Sequence, residues 1–201
     1  VRWNASKAFL RSIAKRPNLR VLTDAEVQRV ALGDGRTEGL HVRWQGREHL
    51  IRARREVLLC SGAIGTPAIL QRSGIGAPAL LQSLGIGVAH ALPGVGANLQ
   101  DHLQLRLVYK VSGVPTLNQI ASSLWGKAGM GLEYLLKRSG PLAMAPSQLG
   151  AFARSSPEQA SANLQYHVQP LSLERFGEPL HAFPAFTASV CNLRPHSRGS
   201  V

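Results

Sequence analysis

The stretch Glu56–Gly76, Glu-Val-Leu-Leu-Cys-Ser-Gly-Ala-Ile-Gly-Thr-Pro-Ala-Ile-Leu-Gln-Arg-Ser-Gly-Ile-Gly, narrows the folds open to this chain more than any other part of it. Val57–Cys60 is an uninterrupted apolar run, too short for a helix and closed by Ser-Gly. It predicts a strand buried on both faces, as in a parallel sheet. Ser61-Gly62-Ala63 then supply small side chains and one residue free to take positive φ, so the main chain itself can approach a bound group. Thr66 reads as an N-cap and Pro67 as the first helical residue of a short helix through Arg72, with Gly74 as its stop. A strand, a tight turn and a helix start can be plain connection. They are also how α/β proteins bring main chain to a phosphorylated cofactor.

The 201-residue sequence as a whole bounds the alternatives. With 44% hydrophobic and 17% charged residues it is an ordinary globular composition, enough for one domain and part of another. No apolar run has transmembrane length, and there is no repeat or low-complexity tract. The start Val1-Arg2-Trp3-Asn4 has neither an initiator Met nor a signal pattern, so an internal piece of a longer protein is expected. A formal charge of +12 raises nucleic-acid binding as a class. The densest basic clusters, Lys15–Arg20 and Arg52-Ala53-Arg54-Arg55, are however broken by apolar or small residues and carry no interleaved aromatics for base stacking. No nucleic-acid partner is expected; a basic surface suits an anionic cofactor better. Cys60 and Cys191 are too far apart in sequence to suggest a disulfide framework and read as buried thiols of a reducing compartment, cytoplasmic or on the cytoplasmic side of a membrane. His41, His49, His90, His102, His167, His181 and His196 lack metal-ligand spacing, and no metal is expected.

Along the chain, Ala5–Lys15 has a helical pattern with Phe9, Leu10 and Ile13 on one side, ended by Pro17-Asn18. A meander follows: strands at Leu19–Leu22, Val27–Leu32, Gly39–Trp44 and Glu48–Ile51, with turns at Gly33-Asp34-Gly35 and Gln45-Gly46. Ala79–Leu84 predicts a short helix closed by Gly85, and Pro93–Gly96 a rigid turn. Asp101-His102 has the composition of an acid–base pair, but neighbours on extended chain point to opposite faces, so a structural role is expected. Beyond Leu103, strands are expected at Leu105–Val111, Gln165–Val168 and Phe186–Leu193, a helix at Leu124–Leu136, and Pro/Gly-punctuated loops at Gly140–Pro146 and Leu171–Pro184 carrying Phe176 and Phe183.

The string Gly62-Ala63-x-x-Thr66-Pro67-x-Ile69-Leu70-x-x-Ser73-Gly74-Ile75-Gly76 resembles the second signature of the glucose–methanol–choline (GMC) family of FAD-dependent oxidoreductases, with every defined position filled. Leu92-Pro93-Gly94-Val95-Gly96-Ala97-Asn98-Leu99-Gln100-Asp101-His102 resembles the family's Pro-Gly-Val-Gly-x-Asn-Leu-Gln-Asp-His segment. The resemblance implies an α/β (α+β) fold: a partial FAD-binding domain with a β-meander over residues 1–102, a partial sheet-based substrate domain over 103–193, and a return segment at 194–201 with a Ser-Arg-Gly-x-Val pattern. It implies FAD as cofactor, met by the main chain of Val27 and by Ser61, Gly62 and Ala63. It implies oxidation of an alcohol with hydride passing to flavin N5, and an electron acceptor such as a quinone, dye or oxygen. The family's catalytic histidine and its Gly-x-Gly-x-x-Gly turn match nothing in these residues, so no catalytic residue is assigned and the 201 residues alone are expected to be inactive. Where choline-type members carry Phe-Glu-Ala-Gly-Gly-Phe, this chain carries Ser147-Gln148-Leu149-Gly150-Ala151-Phe152. A quaternary ammonium wants a carboxylate or an aromatic cage, so a neutral primary alcohol is the expected substrate. A non-redox lyase of the same family and a basic nucleic-acid-binding module are the alternative classes.

Overall fold

The computed structural model describes residues 3–145, 147–175 and 177–201; the expectations that touch Val1, Arg2, Pro146 and Phe176 lie outside them. The chain divides into two compact units, residues 16–101 with 196–201 and residues 1–15 with 102–195. The first helix, α1, is a π-type turn Ser6–Leu10 running into Arg11–Ile13, started by the Asn4 side chain accepting the Lys7 N–H at 2.9 Å. It ends short of the expected Lys15, and its apolar side is open, with Phe9 70% exposed.

In the unit of residues 16–101, three antiparallel strands form the expected meander: β1 (Ala25–Gly33), β2 (Arg36–Trp44) and β3 (Arg47–Arg52), in the order β1-β2-β3. Both hairpin turns are two residues long and left-handed, Asp34 and Gly35 at φ 49° and 72°, Gln45 and Gly46 at 51° and 73°. That backbone matches the twist of the strands it joins. Burial concentrates on Val30, Ala31 and Val42, while every residue of β3 is exposed, so the covered face of the meander does not extend to its outer strand.

Two expected strands do not form. Leu19–Leu22 and Val57–Cys60 pair with no strand among the described residues, leaving Leu58 76% exposed and Cys60 open rather than buried. A strand of a parallel sheet is defined by its neighbours, and an apolar run alone does not make one. The helix after it, α2 (Gly62–Arg72), begins four residues before the expected N-cap, so that Pro67 lies inside it. Thr66 therefore caps in reverse: its hydroxyl reaches back to accept the Ser61 N–H at 3.0 Å. Pro67 has no N–H to return to the Ala63 carbonyl, which weakens the helix at its second turn. Gly74 ends α2 as expected, at φ 77°.

Two short strands, β4 (Ile75–Gly76) and β5 (His90–Ala91), pair in parallel around α3 (Pro78–Ser83). The end of α3 follows a Schellman pattern, with Gly85 at φ 70°, Gly85 N–H on the Gln82 carbonyl and Ile86 N–H on the Leu81 carbonyl at 2.8 Å. Leu81, fully buried, anchors it.

In the other unit, β6 (Gln104–Lys110), β7 (Leu149–Ala153), β8 (Leu164–Gln169) and β9 (Ala185–Asn192) make one antiparallel sheet in the order β6-β9-β8-β7. Helices α4 (Leu117–Ser122) and α5 (Leu124–Lys137) lie between β6 and β7 in sequence. The sheet's two faces differ. Register puts Thr187 and Ser189 of β9 beside Gln169 and His167 of β8 on one face, and Leu105, Leu107 and Tyr109 of β6 beside Val190, Ala188 and Phe186 on the other. The polar face is the buried one: Ala185, Thr187, Ser189 and Cys191 are each at most 5% exposed. Small side chains there let the face be covered closely, whereas the apolar face leaves Leu105 60% exposed.

Candidate functional site

The residues expected to meet a cofactor lie at opposite ends of α2. At its N-terminal end Ser61, Gly62 and Ala63 are all exposed, and a Cβ built on Gly62, at φ 79°, would find nothing within 4 Å. The first turn of α2 carries no acidic side chain, so the positive end of the helix dipole is uncompensated there. Ala63 and Pro67, one turn apart on the same face, line a cavity of about 200 Å³ with Gly96, Ala97, Asn98, Leu99, Gln100 and Val201. The opposite wall is a run of turns, Val95 N–H on the Leu92 carbonyl and Ala97 N–H on the Gly94 carbonyl, with Gly96 and Asn98 at φ 79° and 61°. Leu99 and Gly199 exchange both main-chain hydrogen bonds, at 2.9 and 2.8 Å, which brings residues 199–201 to the same cavity.

Val27 is at the far end. Its carbonyl accepts from Arg72 Nη2 at 3.3 Å, and the neighbouring Gln28 carbonyl accepts from Arg72 Nε at 2.8 Å. Gln28 is the extra residue of a bulge in β1, so its carbonyl is turned out of the ladder and Arg72 satisfies it. Ser73 completes the joint: its hydroxyl donates to the Ile69 carbonyl at 2.6 Å and accepts the N–H of buried Val30 at 2.7 Å. At 1.5 Å per residue, the length of α2 separates Val27 from Gly62 by roughly 15 Å along its axis. The cavity thus unites Ala63 with the Gly96–Gln100 segment; Val27 stands apart from it.

Sequence reasoning quoted Ser73 as a motif position without giving it work and passed over Gln71 and Arg72. Their partners lie 43 to 130 residues away, beyond any local pattern. Asp101 ends one unit and His102 begins the other. No group of three metal-ligating side chains occurs among the described residues, and no helix among them is long and apolar enough to cross a membrane.

A second polar constellation has the order of a nucleophile triad. The Ser172 hydroxyl lies 3.0 Å from His181 Nδ1, and His181 Nε2 lies 3.6 Å from Glu174. Ser172 is fully buried and Asn118 is 3% exposed. Asn118 Nδ2 donates to Ser172 Oγ and to the His181 and Phe183 carbonyls, and its Oδ1 accepts the Ser172 N–H at 2.8 Å. With every direction around Ser172 taken by protein, no substrate reaches its hydroxyl. The cluster latches the 170–184 loop to α4. On the polar face of the sheet, by contrast, buried Ser189 Oγ has no hydrogen-bond partner among the described residues.

A family model described as GMC oxidoreductase matches residues 1–104. The chain is 36% identical over 200 residues to an oxygen-dependent choline dehydrogenase of Paraburkholderia phytofirmans and 35% identical over 203 residues to an alcohol dehydrogenase [acceptor] of Pseudomonas putida. All of this chain is covered in both cases, but it spans only 36% and 37% of those relatives' lengths. Among solved structures, pyridoxine 4-oxidase from Mesorbium loti matches with a TM-score of 0.76 and 26% identity over 100% of this chain and 35% of its own. Formate oxidase from Aspergillus oryzae RIB40 matches in fold, with a TM-score of 0.80 and 21% identity over 92% of this chain and 37% of its own.

Proposed function

The chain belongs to the GMC oxidoreductase family, and on that footing we propose that this protein binds FAD and oxidises a neutral primary alcohol. The observation that carries the reading is one cavity bordered by Ala63 and Pro67 of the signature string and Gly96–Gln100 of the Pro-Gly-Val-Gly segment. These residues suit a dinucleotide: three small exposed residues, a Gly62 with open space at its Cβ position, and an uncompensated helix start. Ser61, Gly62 and Ala63 would hold the cofactor through main chain, as would Val27 at the other end of α2. FAD, when bound, supplies the hydride-accepting centre.

Substrate choice rests on Gln148. Identities of 36% and 35% to the choline and alcohol dehydrogenases do not separate the two chemistries. Gln148 is a neutral amide whose Nε2 donates to the Ala145 carbonyl at 3.0 Å, and it offers no carboxylate to a quaternary ammonium. The test is dye reduction by the FAD-loaded protein, expressed from its whole gene, with primary aliphatic or aromatic alcohols and with choline. The reading requires a higher kcat/KM for a neutral alcohol; a far higher value for choline overturns it. Turnover of an alcohol-derived substrate without dye reduction would point to the lyase class instead.

A further inference from the structure

We propose that Gln71 is a positioning residue for the cofactor pocket, one side-chain amide that pins residues 199–201 and the Gly94–Gln100 turn against α2. The inference rests on the FAD reading above. Ala63, Pro67 and Gln71 recur every four residues, so they share one face of α2. The first two line the cavity; the third stands behind its lining, bonded to Val201. Gln71 Nε2 donates to the main-chain oxygen of Val201 at 2.9 Å, and the Val201 N–H donates to the Gly96 carbonyl at 2.8 Å. Both Gly96 and Val201 line the cavity, so one amide fixes two of its walls.

One motif glycine is explained by the same side chain. A Cβ on Gly96 would stand 2.5 Å from Gln71 Nε2 and 2.6 Å from the Val201 oxygen, distances no real Cβ tolerates. A Cβ on Gly76 would lie 3.4 Å from Gln71 Cγ. The Gly76 distance is an ordinary contact, whereas Gln71 and Val201 close on Gly96 only because no Cβ stands there. The position calls for a donor on a three-carbon reach: leucine keeps the shape and loses the donor, glutamate turns an acceptor toward an oxygen, and lysine restores a donor.

The experiment compares wild type, Gln71→Leu, Gln71→Glu and Gln71→Lys in the protein expressed from its whole gene. FAD affinity is read by quenching of flavin fluorescence, and amide hydrogen exchange is followed at residues 96–101 and 199–201. Gln71→Leu and Gln71→Glu are expected to weaken FAD binding about tenfold, which is the size of one such contact, and to speed exchange in both segments by a similar factor. Gln71→Lys is expected to recover most of the affinity. If Gln71→Leu does not fold, Gln71→Glu carries the same comparison. FAD affinity within twofold of wild type in the folded variant, whether or not exchange changes, overturns the proposal. A wild-type protein that takes up no FAD overturns the cofactor reading itself, an outcome the variants do not produce.

Discussion

Ser73 shows how one hydroxyl can hold two segments together. It gives its proton to Ile69 in its own helix and accepts from Val30 in β1, so its removal strands a buried N–H. Such a loss costs about 1–3 kcal/mol, and Ser73→Ala is expected to lower thermal stability accordingly in a calorimetric melt. A change below about 0.5 kcal/mol would mean that water replaces the contact. Gly74, next to it, faces two constraints: its φ is 77°, and a Cβ there would strike the Gly87 carbonyl. Gly74→Ala is expected to cost more than about 1 kcal/mol, since strain and collision add. Residues whose work is local were legible in the sequence: Gly74 and Gly85 as helix stops, Asp34-Gly35 and Gln45-Gly46 as hairpin turns. Gln71 and Ser73 were not, because nothing nearby in the chain hints at partners in β1 or at Val201.

At the scale of elements, the meander was readable because each strand pairs with its sequence neighbour, and the alternation and turns carry the register. Val57–Cys60 shows the opposite case. Its apolar run is a strand signal that takes effect only beside other strands, and no strand among the described residues flanks it. The start of α2 was misplaced for a related reason: Pro67 pointed to a first helical position, yet the Thr66 hydroxyl back to Ser61 lets the helix begin at Gly62. The β7 strand, Leu-Gly-Ala-Phe-Ala, is too poor in β-branched residues to announce itself. Across β1 and β2, Glu26 stands opposite Arg43 with Oε2 to Nη2 at 2.6 Å, and that hydrogen bond and charge hold the Glu26 carboxyl below its ordinary value of 4.5. A carboxylate lowered in the folded state adds stability above the unfolded value, and the contribution is lost as pH falls through the folded one. Because both groups are exposed, the effect is small and salt-sensitive. Glu26→Gln is expected to melt slightly below wild type at neutral pH and with it in acid below 4.5; a gap that persists in acid would contradict the assignment.

For the molecule as a whole, the sequence motifs pointed to the GMC family, and the family match over residues 1–104 agrees. The motifs gave no hint that the two signature segments border one cavity; that required the fold to bring residues 62–67, 96–100 and 201 together. The charge of +12 is spread rather than focused, so retention on DNA should be weak and vanish by about 0.15 M salt, where exposed charges are screened beyond roughly 8 Å. Tight retention above that salt would bring back the nucleic-acid class. The most direct test of the central claim is amide hydrogen exchange of the protein, expressed from its whole gene, with and without FAD. The account predicts slowed exchange at residues 61–63 and 96–100 on FAD addition; FAD bound tightly with exchange in both segments unchanged would contradict it.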